Sequence, residues 1–435
     1  MISVLTERIH ARTARIAVIG QGYVGLPLAV AFAQAGFQVR GLDADPERVV
    51  ALADGRSHSP DVAHADLAPL LRSGRYVPTS DPSVLHSSDV VIICVPTPLR
   101  KSKDPDISFV IKAAETVAAR LKTGHLVVLE STTYPGTTEE LVQPMFEARG
   151  ARIGHDVFLA FSPERIDPGN GRYSVRDIPK VVGGVTPACT RLTATLYRHI
   201  VPAVVETSSP KVAELAKLYE NVFRNVNIAL ANELALICQK VGVPTREVIE
   251  AAASKPFGFM PFYPGPGIGG HCIGIDPIYL AWKLRAGGYE ARFIHLADEI
   301  NRAMPAHTVT MVTDALNERG RCLNGARILA LGVAYKRGVG DTRESPALEV
   351  LARLRAAQAE VAYADPHVPS IVLDGITVKA VEETDEELAR ADCVVILTDH
   401  PQFDYRRILD GARLVVDTRN ATWGLSAPDG RVVRL

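Results

Sequence analysis

The chain has 435 residues, 47% of them hydrophobic and 22% charged, with a formal net charge of −1. That length exceeds what one hydrophobic core serves, so two or three domains are expected, and the near-neutral balance supplies no field for nucleic acid or an anionic membrane. No apolar run approaches the roughly 20 residues that span a bilayer, and the opening stretch MISVLTERIHARTAR lacks the apolar centre of a secretory leader, so a cytosolic protein is expected.

From Arg15 to about Glu206, short β-rich runs (IAVIG, FQVRGLD, DVVIICVP, HLVVLE, VFLAF) alternate with helix-like stretches. This pattern predicts a parallel sheet covered on both faces, an α/β domain over residues 1–206. Directly after the first run stands Gly20-Gln21-Gly22-Tyr23-Val24-Gly25, followed by the helical LPLAVAFAQAG. In that context Gly20 permits a tight turn, Gly22 lets a pyrophosphate approach the backbone, and Gly25 lets helix and strand pack closely. Asp43 closes the second strand, where a carboxylate can accept bonds from ribose hydroxyls and repel a 2′-phosphate, so NAD is expected rather than NADP. Asp45, ahead of Pro46 and Glu47, reads as a helix N-cap.

Ser209 followed by Pro210 predicts a helix start, and Val212, Leu215, Tyr219, Val222, Phe223, Val226 and Ala229 then repeat at helical spacing. Running to about Val241, this helix would be about 50 Å long, so it is expected to link domains and to form a dimer. Lys217 and Asn221, four apart, share a face beside or opposite the apolar stripe, a face that is ordinarily just solvated. Residues 207–305 are read as a helical middle domain. Within it, Pro256 to Pro277 carries five prolines and six glycines, which predicts an irregular loop over a site or interface.

That loop contains Cys272, one of six cysteines scattered without a CxxC pair, so no metal site is expected. The other five, Cys94, Cys189, Cys238, Cys322 and Cys393, read as small buried apolar residues. Asp276 reads locally as the cap of a helix beginning at Pro277. From Arg327 the alternation restarts with RILALGVAY, a helix capped by Ser345 before Pro346, then EVAYADP, DCVVILTD and LVVDTRN, predicting a second, shorter α/β domain over 306–435 without the glycine fingerprint. Lys336 and Arg343 flank a glycine-containing turn there, an arrangement suited to a pyrophosphate or to a surface ion-pair cluster with Asp341 and Glu344.

The stretch GPGIGGHCIGIDPIYL resembles the active-site segment of the UDP-glucose/GDP-mannose dehydrogenase family, nearest the branch acting on UDP-N-acetylhexosamines, which shares His271 before the cysteine. GQGYVGLPLA, VPTP at 95–98, ESTTYPGTTEE at 130–140, SPERIDPGN at 162–170, AELAKLYEN at 213–221 and YKRGVGDTRES at 335–345 extend the resemblance over nearly the whole chain. The resemblance implies two doubly wound Rossmann-like domains joined by a long central helix and a helical middle domain. It also implies oxidation of a sugar C6 hydroxymethyl to a carboxylate, with NAD as acceptor, through a thiohemiacetal and a thioester on the enzyme.

By position, Cys272 matches the family's nucleophile, and Lys217 and Asn221 the pair that polarises the C6 oxygen, with Asp276 in the same catalytic set. Thr133 and Glu164 correspond to residues that organise a water and the substrate, although a turn cap and a surface carboxylate are their ordinary readings. Tyr23, Val24, Pro96, Thr97 and Thr133 would join the glycine turn and Asp43 around the dinucleotide. Gly269, Glu164, Lys217, Asn221, Lys336 and Arg343 would contact the nucleotide sugar. Residues 254–271 hold Lys255 and no arginine, a departure from the UDP-glucose branch, whose arginine there reaches a neighbouring subunit. A one-step hydroxyacid or acyl-CoA dehydrogenase and a non-catalytic nucleotide-sugar sensor are the competing readings; the first leaves the third domain and Cys272 unexplained, and the intact Lys217, Asn221, Cys272 and Asp276 set argues against the second.

Overall fold

Strands form where β-branched and apolar residues run for four or five positions, and alternate residues of each run must then be covered on opposite faces. The computed structural model describes residues 2–59, 61–100, 104–165, 173, 175–428 and 430–435, with the side chains of His271 and Cys272 outside that description. Two compact units divide the chain: Met1–Glu220 with Ile278–Gly288, and Asn221–Pro277 with Tyr289–Leu435.

The first unit holds β1 (Arg15–Ile19), β2 (Gln38–Leu42), β3 (Tyr76–Thr79), β4 (Val90–Ile93), β5 (Leu126–Leu129), β6 (Phe158–Phe161), β7 (Lys180–Gly184) and β8 (Val204–Thr207). They make one sheet in the order β3-β2-β1-β4-β5-β6-β7-β8, parallel throughout except where β7 runs antiparallel to β6. Ile16 and Val18 belong to the core on one face, Ala17 and Ile19 to the core on the other. β3, β7 and β8 lay below sequence detection because YVPT, KVVGG and VVET are short and interrupted by proline, glycine or polar residues.

The second unit is built on a parallel sheet, β10-β9-β13-β14-β15, from β9 (Arg327–Leu331), β10 (Glu360–Ala364), β13 (Cys393–Ile396), β14 (Val415–Asp417) and β15 (Val432–Arg434). Between β10 and β13 lies a hairpin of β11 (Ser370–Leu373) and β12 (Ile376–Lys379). Its turn, Asp374-Gly375, has φ of +51° and +76°, the paired positive values of a type I′ hairpin.

Two helices run through both units. The central helix, Pro210–Val241, has 32 residues and begins as expected, with Ser209 Oγ accepting the Val212 N–H at 3.4 Å. The cysteine helix, His271–Ala286, starts in the second unit and ends in the first. No helix among the described residues is long and apolar enough to cross a membrane.

Candidate active site

Gly20 leaves β1 with φ of +88°, and a Cβ on it would lie 2.3 Å from the Cys94 carbonyl oxygen. Gly25 opens the helix Gly25–Gln34, and a Cβ there would lie 1.9 Å from the Gly20 oxygen, whereas one on Gly22 would meet nothing within 4 Å. Two of the glycines therefore serve close packing, and the middle one leaves bare backbone beside open space at a helix N-terminus, where a dinucleotide's pyrophosphate fits. Tyr23 is exposed and packs edge-on to His58, Val24 is half-buried, and beyond β4 Pro96 is exposed and Thr97 buried.

Asp43, buried at the end of β2, accepts the main-chain N–H of Gln21 at 2.7 Å and of Asp45 at 2.9 Å, and the Arg48 guanidinium at 3.1 Å. It braces the glycine turn while its carboxylate, with about four acceptor sites, retains capacity for hydroxyl donors. Asp45 caps the next helix by accepting the N–H groups of Glu47 and Arg48. Arg48 was invisible as a partner in the sequence because nothing in a helix pattern tells which exposed arginine folds back on a preceding strand.

Thr133 lies in the turn after β5, 1% exposed, and its Oγ finds no hydrogen-bond partner among the described residues. A buried hydroxyl without a protein partner is suited to a hydrogen bond with a bound molecule. The same turn is tied to the central helix by Glu214, which accepts from Gly136 N–H, and from Thr138 N–H and Oγ at 2.9 and 2.7 Å. Burial raises the Glu214 carboxyl above its ordinary range, against these three donors.

Glu164 is no free surface carboxylate. Its side chain is 11% exposed, and it accepts the Arg165 N–H at 2.6 Å and the Lys180 ammonium at 2.9 Å. Lys180 also donates to Glu130 at 2.8 Å, and Tyr197 donates to the other oxygen of Glu130. Lys180, Glu130 and Tyr197 went unnoticed in the sequence; a lysine opening an apolar strand was the one signal that could have found them.

The central helix buries a polar stripe and exposes an apolar one. Glu214, Lys217, Asn221, Asn225 and Asn232 are buried, while Val212, Leu215, Tyr219, Phe223, Leu230, Ile237 and Val241 are each at least 42% exposed. Burial of Glu214 and the three asparagines is tolerated because each of them is partnered. Asn221 donates to Asp276 at 2.5 Å, Asn225 to the Ile273 carbonyl at 3.1 Å, and Asn232 to Asn301 at 2.9 Å while accepting the Gly265 N–H at 2.9 Å.

The Gly/Pro-rich stretch is irregular only to Gly270; helix begins at His271 and passes through Pro277, correcting both the expected loop around Cys272 and the reading of Asp276 as a cap. A proline inside a helix leaves the carbonyl four residues back without its N–H donor. Here that carbonyl belongs to Ile273, and the Asn225 amide supplies the missing donor. Cys272, in the first turn, stands four residues before Asp276; its side chain lies outside the described residues. SPERIDPGN likewise is described only as far as Arg165.

Gly269 and Gly270 seat this segment on the loop after β9. A Cβ at either would fall 2.7 Å from Tyr335, and the Gly270 N–H donates to the Arg343 carbonyl at 3.0 Å. Lys336 is half-buried in that loop, and Arg343, exposed, forks onto Asp341 with contacts of 2.6 to 3.0 Å. Ser345 holds the N-cap position before Pro346, but its Oγ caps nothing, since the Leu348 N–H goes to the Ser345 carbonyl instead. Of the remaining cysteines, 94, 189, 238 and 393 are buried as expected, while Cys322 is exposed because it falls in the polar turn after helix Arg292–Asn317.

Comparison with protein families finds three consecutive matches: the UDP-glucose/GDP-mannose dehydrogenase family NAD binding domain over residues 14–201, central domain over 211–303 and UDP binding domain over 329–423. A UDP-N-acetyl-D-glucosamine 6-dehydrogenase of Pseudomonas aeruginosa is 40% identical over 356 residues, 81% of this chain and 83% of the relative. A UDP-N-acetyl-D-mannosamine dehydrogenase of Pyrococcus horikoshii is 38% identical, covering 93% of this chain and 95% of its own length. The solved structure of the UDP-D-ManNAc dehydrogenase of that organism superposes with a TM-score of 0.88 at 35% identity, covering 97% of this chain and 98% of the other. An NDP-N-acetyl-D-galactosaminuronic acid dehydrogenase of Ralstonia nicotianae is 36% identical over 93% of this chain and 95% of its own.

Proposed function

This chain belongs to the UDP-glucose/GDP-mannose dehydrogenase family and is an NAD-dependent oxidoreductase, and we propose that it converts the C6 hydroxymethyl of a UDP-N-acetylhexosamine, UDP-GlcNAc, to a carboxylate. Asp43, Pro96, Thr97 and Thr133 would hold NAD at the Gly20–Gly25 turn, and it would supply the electron acceptor for both oxidations. Lys217 and Asn221 hold the C6 oxygen and stabilise negative charge on it. The Cys272 thiol adds to the aldehyde carbon: the S–C bond forms and the thiol proton ends on the C6 oxygen. After the second oxidation a water oxygen bonds to the thioester carbon, the C–S bond breaks, sulfur leaves as thiolate, and Glu164 takes the water proton. Lys336, Arg343 and the backbone at Gly269 bind the diphosphate and sugar.

The observation that carries this reading is the buried Asn221–Asp276 pair, whose aspartate stands one helical turn along from Cys272 on the same helix. The N-acetylated sugar rests on the relatives, whose names carry N-acetylhexosamines. UDP-ManNAc is the rival substrate, favoured by the structural neighbour from Pyrococcus horikoshii. With NAD⁺ in excess and UDP-GlcNAc limiting, two NADH per sugar are expected, and one or none overturns the chemistry. A kcat/KM higher on UDP-ManNAc would overturn the sugar alone. Cys272→Ala should bind NAD and sugar yet form no uronate.

The enzyme works as a homodimer whose partner covers the apolar stripe from Val212 to Val241, since seven large apolar residues at helical spacing stand exposed on one helix. It works in the cytosol on surface-polysaccharide precursors, where a reducing compartment keeps the Cys272 thiol available. A monomer in sedimentation equilibrium at micromolar concentration would remove the dimer.

A further inference from the structure

The reversed strand of the first sheet carries a device that the catalytic reading leaves unused. Because β7 runs antiparallel to β6, with Ala160 opposite Gly184 and Phe161 opposite Gly183, its first residue lies at the carboxyl edge of β4, β5 and β6. That edge is where open α/β sheets bind their ligands. Continuing the register sets Lys180 opposite Glu164, and the two side chains meet at 2.9 Å.

Lys180 is 3% exposed and Glu130 1%, so a buried ammonium is shared between one carboxylate sealed in the core and one, Glu164, reaching the rim. Tyr197, on the helix Pro187–Tyr197, fixes Glu130 by hydrogen bond and places its ring 5.3 Å from the Lys180 ammonium. Burying three ionisable groups is costly unless they are held in good geometry, and removing the cation would leave two carboxylates facing each other. A purely structural ion pair would need one carboxylate; this one spends its second contact on the residue at the rim.

We propose that Lys180 is a positioning residue for hydrolysis of the acyl-enzyme, holding the Glu164 carboxylate in the one orientation from which it accepts the proton of the attacking water. Glu130 and Tyr197 anchor the lysine from beneath. The inference rests on the reading of Glu164 given above. Among the described residues, the titratable groups facing the clamp are Cys94 after β4, Glu130 after β5, Tyr197, and the Arg165–Glu220 pair beside Glu164. Burial raises Cys94 and Tyr197, so both keep their protons at neutral pH, and Glu130, 1% exposed and held by Lys180 and Tyr197, is sealed away from the rim.

The test is Lys180→Met in the full-length enzyme with NAD⁺ and UDP-GlcNAc, quenched in time and weighed by intact-protein mass spectrometry. Acyl-enzyme should accumulate, with hydrolysis slowed about 100-fold at unchanged KM for the sugar. With the cation gone, the acid limb of the hydrolytic rate should move up by about one pH unit, and Lys180→Arg should restore most of the rate. Hydrolysis at the parental rate with the parental pH profile overturns the proposal. Should Lys180→Met not fold, the Glu130→Gln/Lys180→Met pair, which removes opposite charges together, decides by the same readouts. Glu164→Gln separates the two ideas: if it hydrolyses normally, the reading of Glu164 fails and the clamp with it; if only the Lys180 variants do, the clamp alone fails.

Discussion

The two α/β regions begin with the same turn and put it to different use. After β1, Gly20 has φ of +88° and abuts the Cys94 carbonyl; after β9, Gly332 has φ of +80°, and a Cβ on it would lie 2.5 Å from the Thr398 carbonyl. Each turn is braced by an acid closing the second strand: Asp43 accepts the Gln21 N–H, and Asp365 accepts the N–H groups of Val333 and Ala334, the shorter contact being 2.7 Å in both. Past that point they part. The first turn enters its helix within five residues, with Gly22 bare, whereas the second runs through Tyr335, Lys336 and Arg337 before the helix Pro346–Ala356. In the second, Asp365 also holds His400 at 3.1 Å, and His400 accepts the Gly338 N–H at 3.1 Å. On the proposed reading, one frame would support two ways of meeting phosphate: main-chain N–H groups and a helix dipole in the first, side-chain cations on a pinned loop in the second.

If the frame is shared, Gly20→Ala and Gly332→Ala should each destabilise their own unit by about 3 kcal/mol, because both force a side chain into positive φ against a carbonyl. Urea unfolding checks this, and a neutral result at either glycine breaks the comparison. Acid should separate the regions. In the first, burial pushes His125 from 6.5 down to about 4, with its ring bonded to the Ser88 carbonyl at 3.0 Å. The unfolded chain takes a proton on this ring below about 6.5 and the folded chain does not until about 4, so its contribution is complete above 6.5 and roughly 3 kcal/mol is lost as pH falls through that window. His125→Asn, which keeps a donor for Ser88, should flatten that part of the stability curve; an unchanged slope would dismiss the assignment.

A smaller effect distinguishes the ligands. Gly22→Ala meets open space, so stability should hold while NAD affinity falls about 30-fold, near 2 kcal/mol, by calorimetry. Ala334→Gly, two residues after Gly332 as Gly22 is after Gly20, should leave NAD affinity alone. Smallest is Arg343→Ala: its ion pair with Asp341 is half-exposed, so stability should move by less than about 0.5 kcal/mol, while UDP binding should weaken about 10-fold.

Much of this was legible before any coordinates. β1 and the glycine turn could be read because a buried parallel strand must be continuously apolar and a pyrophosphate turn must lack Cβ atoms. The long helix could be read from its caps and its period. Its period, however, does not say which stripe faces inward, and the apolar stripe from Val212 to Val241 turned out to be the outer one. Helical periodicity records only that two faces differ; burial of Asn221 and Asn225 depends on partners supplied by residues some 50 positions away, Asp276 and Ile273. The hairpin at Asp374-Gly375 had a local signal, two turn residues between alternating runs, and was overlooked.

By itself, then, the order of residues determined the two α/β regions, the dinucleotide turn and the family, since these depend on short-range patterns that steric and hydrogen-bonding rules impose locally. Tertiary structure alone decided that β7 runs backwards and so delivers Lys180 to the edge where Glu164 stands, and that the helix carrying Cys272 survives Pro277 through an amide lent by Asn225. Strand direction and a borrowed hydrogen bond are properties of chain segments meeting across the fold, and no local pattern records them.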